Sequence, residues 1–446
     1  MNITPGISPM TGLALAALAT AASPAAAAPP YVDVDGARIV SQSQISARTL
    51  ALTIATPSFN ANTVVEVTLP SGYETDPAKR WPVTYYLAGT NHDSATFRAL
   101  YNGENLTSAY PSIIVSPDGD AGYWSDWFNA GAGGPPLYET FVSKQLIPLI
   151  DANFRTIAER AQRAIMGESM GGYGVLMMAA RHPDQFVAAA SLSGGPDTNY
   201  VPGAVIATLS PAIMGAMPGS IYGLRASQEV RWRGHNPVDL ADNLRDVRLQ
   251  VRTGNGTFGG ANGETLGDLA GCVLESALIQ PESTSFHNTL NTLGIAHDWQ
   301  LYPWGCHSTA LFGQEISDML PGLAAAFGAA APTTFNYRSI EPSFSVYGWS
   351  VAADPARALE FMQLTSVSSH GLTVTGSGST TITTPPLFAA SQPVNVVVNG
   401  EASSVTASAA GQATFTVNLR PANTQQQYRL GSVTDVTTAI VTLNPQ

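Results

Sequence analysis

The chain is poor in charge and almost without cysteine. Only 12% of its 446 residues are charged, and 32 acidic against 20 basic side chains leave a formal charge of −12. Such a surface repels a polyanion rather than steering it in, so nucleic-acid binding is excluded as a leading function. Beyond the N-terminus no apolar run is long enough to cross a bilayer, which excludes an integral membrane protein. Two cysteines, Cys272 and Cys306, with no neighbouring cluster of histidines, fail the ligand count of a zinc site. They suffice for one disulfide in an oxidising compartment, two buried free thiols being the alternative. No repeat of solenoid period runs through the chain.

What is present is 44% hydrophobic residues with 41 Gly and 31 Pro, material for one large core and a smaller second one in a soluble, turn-rich protein. Residues 12–22 are a short run of Leu and Ala, followed by Ser23-Pro24 and small residues to Ala28. This reads as a secretory signal over residues 1–30, although no Lys or Arg precedes Arg38, and it places the protein outside the cell or in the envelope. Alternating stretches between residues 38 and 70 predict antiparallel strands. Compact apolar runs follow at 83–88, 113–115, 163–167, 188–192, 247–253 and 299–302, with helical periodicity between them, as at 138–154. That alternation predicts a mostly parallel sheet covered by helices, an α/β catalytic domain over residues 31–330. Residues 331–446 contain no Lys and many Ser, Thr and Val in short alternating runs, which predicts a small β-sandwich with a hairpin at Asn399-Gly400. The Ala-rich stretch 322–331 is the expected hinge.

Gly167-Glu168-Ser169-Met170-Gly171 fits the nucleophile elbow, in which flanking glycines let a strand turn sharply into a helix and hold a serine hydroxyl at the sheet edge. It lies between an apolar run and an amphipathic stretch, the strand-turn-helix setting the motif requires. A serine hydroxyl needs a base, and the base an orienting acid, in the order serine, acid, histidine along this fold. His92 and His182 are disfavoured by that order, His297 by preceding the last strand, His370 by lying in the β region, and His235 and His287 by their surroundings. His307, in Trp304-Gly305-Cys306-His307-Ser308, remains. Three acids follow the loop Gly254-Asn255-Gly256: Glu264, Asp268 and Glu275. If Cys272 bonds Cys306, the bridge brings Glu275 close to His307 and favours it. The oxyanion of an acyl transfer needs two amide donors, assigned to Met170, next to the nucleophile, and Thr90, in Ala88-Gly89-Thr90-Asn91. The aromatic group Tyr123, Trp124, Trp127 and Phe128 and the apolar stretch 201–224 either line an acyl pocket or pack as core and cap.

These residues resemble the esterase D and mycolyltransferase branch of the α/β-hydrolases. The resemblance covers about residues 64–323. It is carried, in family order, by Ala88-Gly89-Thr90, Ser125-Asp126-Trp127, the elbow around Ser169, His182-Pro183 with Gln185-Phe186, Gly254-Asn255-Gly256-Thr257, Leu274-Glu275 and His307-Ser308. It implies an α/β-hydrolase fold and a serine esterase or acyltransferase. It also selects Glu275 as the acid, independently of the disulfide. The chain departs from the trehalose-using mycolyltransferases at Ala88, Asn91 and Thr309, where those enzymes carry an Asp, an Arg and a Trp that contact sugar. The expectation is an acyl-ester substrate, with hydrolysis favoured over transfer to a hydroxyl, no cofactor, and envelope contact through the β domain.

Overall fold

The computed structural model describes residues 31–445; the expected signal segment lies outside them. Nine strands form the first sheet: β1 (Arg38–Gln44), β2 (Thr49–Ala55), β3 (Thr63–Thr68), β4 (Val83–Leu87), β5 (Ile113–Pro117), β6 (Arg163–Glu168), β7 (Ala188–Leu192), β8 (Arg248–Thr253) and β9 (His297–Leu301). Their spatial order is β1-β2-β3-β5-β4-β6-β7-β8-β9. The β1, β2, β3 and β5 pairings are antiparallel, and those from β5 to β9 are parallel.

Side-chain alternation decides which helix packs where. Tyr85, Leu87 and Ile165 point to the face covered by the helices Met170–Arg181 and Ile147–Asn153, in a core that includes Leu176, Leu149 and Ile150. Their neighbours Tyr86, Ala88 and Met166 point to the opposite face, onto Phe97, Phe312, Ile316 and Met319 of Thr96–Tyr101 and Thr309–Ala326. Strand β7, Ala188-Ala189-Ala190-Ser191-Leu192, is wholly buried, its small side chains letting helices approach from both sides.

The C-terminal β domain is two antiparallel sheets sharing one core. One runs, in spatial order, through Phe335–Ser339, Met362–Ser368, Gly371–Gly376, Thr437–Pro445, Pro393–Val398 and Glu401–Thr406. The other runs through Ser343–Val346, Trp349–Ala352, Gly378–Thr383 and Thr414–Leu419. Leu364, Val374 and Val441 of the first sheet meet Val346, Val351, Ile382 and Val417 of the second. The hairpin at Asn399-Gly400 joins Val398 to Glu401, with φ of 50° and 91° suited to an Asn-Gly turn.

The expected hinge at 322–331 is corrected in its first half. The last helix continues through Ala326 with Leu323 and Ala326 buried, because the Ala-rich sequence is good helix and its apolar stripe covers the sheet. Beyond it the β domain is tied down. The Arg181 guanidinium donates to Glu139 and Glu341 at 2.7 Å each, and Asn243 exchanges hydrogen bonds with the Arg338 backbone.

Candidate active site

Ser169 sits where β6 turns into the helix Met170–Arg181, with φ 53° and ψ −123°, a conformation that L-residues adopt only when the surroundings enforce it. The flanking glycines are steric necessities. A Cβ at Gly171 would lie 1.9 Å, and one at Gly167 2.4 Å, from the Leu87 carbonyl oxygen. The turn can therefore close only against the end of β4 if both positions lack side chains.

The Ser169 Oγ lies 2.7 Å from His307 Nε2, and His307 Nδ1 lies 2.7 Å from Glu275 Oε2. A carboxylate only accepts, so Nδ1 carries the proton toward Glu275, and the unprotonated Nε2 accepts from the serine hydroxyl. Phe312 presents its ring edge-on to the imidazole at 4.9 Å. Glu275 is fully buried at the start of a π-helical turn, Glu275–Ile279. Its other oxygen accepts from Ser193 Oγ and Thr253 Oγ1 at 2.7 Å each and from the Gly254 amide at 2.9 Å, donors enough to hold a buried charge.

The bridge between Cys272 and Cys306 is present. The His307 amide donates to the Gly271 carbonyl at 3.0 Å, so both sides of the bridge anchor the imidazole loop. Glu264, one of the three sequence candidates for the acid, holds this loop from beneath. It accepts from the Cys306 amide at 2.6 Å and from Ser308 Oγ at 3.1 Å. The Asp268 carboxylate is taken up by a capping box with Thr265, accepting from its amide and hydroxyl. Of the three acids, Glu275 alone meets the imidazole.

The loop that carries Thr90 is pinned at three points. The Ala88 carbonyl accepts Trp124 Nε1 at 3.1 Å, the Asn91 amide donates to the Asp120 carbonyl at 3.3 Å, and the Gly89 amide donates to Glu168 Oε1 at 3.1 Å. Gly89 packs against Ser169, since a Cβ there would stand 3.2 Å from that of the serine. The turn before Thr90 thus packs against the nucleophile, and Met170 follows it directly in the chain.

Sequence reasoning passed over several polar groups of the site. Glu168 is fully buried; besides Gly89 it accepts from Tyr86 Oη and contacts His92 Nδ1 at 2.5 Å, which raises the His92 pKa. Ser193 also lies 3.0 Å from Glu315, a fully buried acid whose pKa is pushed far up by burial and then by the charge of Glu275. The signal available for Glu168 was a charge closing the apolar run Ala164–Gly167 just before the elbow serine; for Glu315, on an ordinary amphipathic helix, there was none. Trp124 and Trp127 are core residues, whereas much of 201–224 is exposed. A hollow of about 910 Å³ lies at the junction with the β domain, lined by Arg181, Arg231 and Tyr337 and by neither Ser169 nor His307.

The family described as "Putative esterase" matches residues 56–323, more than half of the chain. The chain belongs to this esterase family. Among curated relatives, Esterase Rv1288 of Mycobacterium tuberculosis is 37% identical over 224 residues, 49% of this chain and 48% of that protein. The chain thus spans about half the length of the esterase it matches. The diacylglycerol acyltransferase/mycolyltransferase Ag85B of Mycolicibacterium smegmatis is 28% identical over 225 residues, 49% of this chain and 67% of that one. Among solved structures, Mycobacterium tuberculosis MPT51 superposes with a TM-score of 0.53 at 20% identity, covering 63% of this chain and all of its own, which shows the shared α/β-hydrolase fold.

Proposed function

We propose that the protein is a serine ester hydrolase or acyltransferase working through an acyl-enzyme. Ser169 Oγ attacks the ester carbonyl carbon as its proton passes to His307 Nε2; the tetrahedral adduct collapses, and the imidazolium protonates the departing alcohol. Water, or another hydroxyl, then attacks the acyl-serine, gives its proton to His307, and frees the acid or the new ester. Glu275 holds the imidazole and stabilises its charged form. The amides of Thr90 and Met170 are assigned to the oxyanion.

The observation that supports this most directly is the unbroken chain Ser169, His307, Glu275, with contacts of 2.7 Å at both steps. Hydrolysis is the favoured outcome, because Ala88, Asn91 and Thr309 replace the polar groups that meet sugar in the mycolyltransferases. We assign catalysis to residues 31–330 and envelope contact to the β domain of 331–446. The disulfide supports a place outside the reducing cytosol.

A fluorophosphonate probe tests the reading. Wild type should be labelled stoichiometrically and Ser169→Ala not at all; an unlabelled wild type would leave the fold as a binding scaffold. Product analysis with a p-nitrophenyl ester, with and without added alcohols, separates hydrolysis from transfer.

A further inference from the structure

Besides a group at residues 428–440 in the β domain, large apolar side chains that face solvent gather in two short stretches of the hydrolase fold. In the first, Val201, Val205, Leu209 and Met217 are 50–77% exposed; in the second, Leu266, Leu269 and Val273 are 48–78% exposed. Residues 199–224 contain no ionisable acid or base other than two tyrosines. A soluble surface scatters such side chains singly, and a contiguous strip of them marks a surface that meets something apolar.

Both stretches border the candidate active site. The first begins where Tyr200 Oη donates to the Ala277 carbonyl at 3.0 Å, two residues beyond Glu275. It ends beside the Thr90 loop, where Ile213 and Met214 line a hollow of about 430 Å³ together with Asn91 and His92. Ser210 Oγ anchors it midway on the Ala121 carbonyl at 2.9 Å. The second stretch contains the helix Leu269–Leu274, whose Gly271 carbonyl accepts the His307 amide. One strip therefore runs from the acid side of the site to the oxyanion side, and the other rises from the imidazole loop.

We propose that the two stretches form a docking surface for aggregated acyl lipid, seating the mouth of the Ser169–His307 site on a micelle or vesicle. Two observations select lipid. The first stretch offers mainly aliphatic groups and no Asp, Glu, Lys, Arg or His, whereas a protein partner is gripped through aromatic and Arg anchors ringed by polar contacts. It is also continuous with the mouth through which an acyl ester enters, so a lipid held there is already beside the serine. The consequence for substrate choice rests on the esterase reading; the docking itself does not.

The test uses the full chain, phosphatidylcholine vesicles and two esters. Wild type should co-sediment with the vesicles and cleave an emulsified long-chain p-nitrophenyl ester faster than the same ester below its aggregation limit. The triple variant Val205→Ser/Leu209→Ser/Leu266→Ser should lose at least tenfold in vesicle affinity and in turnover of the emulsion. Its kcat/KM for monomeric p-nitrophenyl acetate should stay within twofold of wild type. The single Leu209→Asp should weaken vesicle binding by itself. Equal vesicle binding by wild type and variants, or no binding by wild type, would overturn the proposal. So would a wild-type dimer that the triple variant converts to monomer, because a second copy would then cover the strip. Vesicle binding that falls in the variants while no protein cleaves either ester would uphold docking and overturn the esterase reading instead.

Discussion

Glu168, the residue before Ser169, accepts the backbone amide of Gly89, the residue before Thr90, at 3.1 Å. One buried carboxylate thus fixes the spacing between the nucleophile strand and the loop assigned to the oxyanion, two elements 79 residues apart in the chain. Preorganised donors are worth their full effect only when held in place before the charge develops. Glu168→Ala should lower kcat by about 10²-fold with a smaller change in KM. Glu168→Gln, which keeps an acceptor for Gly89, should lose less. Steady-state kinetics on a soluble p-nitrophenyl ester, with melting curves to verify folding, make the comparison.

The three acids near the imidazole loop have distinct partners, so their amide variants should rank. Glu275→Gln should cost about 10³ to 10⁴ in kcat, because the imidazole loses its orienting charge. Glu264→Gln alters an acceptor of the Cys306 amide and Ser308 hydroxyl, and should cost about 1 to 3 kcal/mol of stability with a modest loss of rate. Asp268→Asn touches only a cap and should be close to wild type in rate. Rates and denaturant midpoints measured together give the order.

Reducing the Cys272–Cys306 bridge, which spans 34 residues, should remove about 3 to 4 kcal/mol of stability in the chain-entropy account. The rate should fall more steeply than the melting point implies, since the same bridge flanks His307. Cys272→Ser/Cys306→Ser, assayed well below its melting temperature, shows whether activity is lost while the fold persists.

Asp118 supplies a pH signature. Burial, followed by the charge of Asp120, raises its pKa to about 6. A carboxyl whose folded pKa lies above its unfolded value favours the fold only while protonated, so its contribution declines as pH rises from near 4 to 6 and stays unfavourable above. Asp118→Asn should therefore raise the melting temperature at pH 8 and leave it nearly unchanged at pH 4. Partial exposure keeps the gain to about 1 kcal/mol.

Features that depend on local pattern were legible in the sequence. The apolar runs that became β4, β6 and β7 are buried at every position, and the elbow glycines stand out as a short motif although the contact that forces them comes from Leu87 at the end of β4. The early strands of the β domain were harder. Ser343–Val346 and Trp349–Ala352 are four residues each, with one exposed face of Ser and Ala, too short for alternation to stand out. The site was legible where chain order constrains it, as for Ser169 and His307. It was opaque where the fold alone supplies proximity, as with Ser193 and Glu315, 122 residues apart yet hydrogen-bonded at 3.0 Å. The helix through Gly322 and Leu323 shows the opposite error, an Ala-rich composition read as a hinge although its apolar stripe is core.

The central claim is that Ser169, His307 and Glu275 act as one unit, and kinetics of single and combined variants test it most directly. Ser169→Ala, His307→Ala and the double variant should all fall to a common residual kcat on a soluble ester, because removing one member disables the others. A His307→Ala enzyme retaining most of its rate, or losses that multiply in the double variant, would contradict the account.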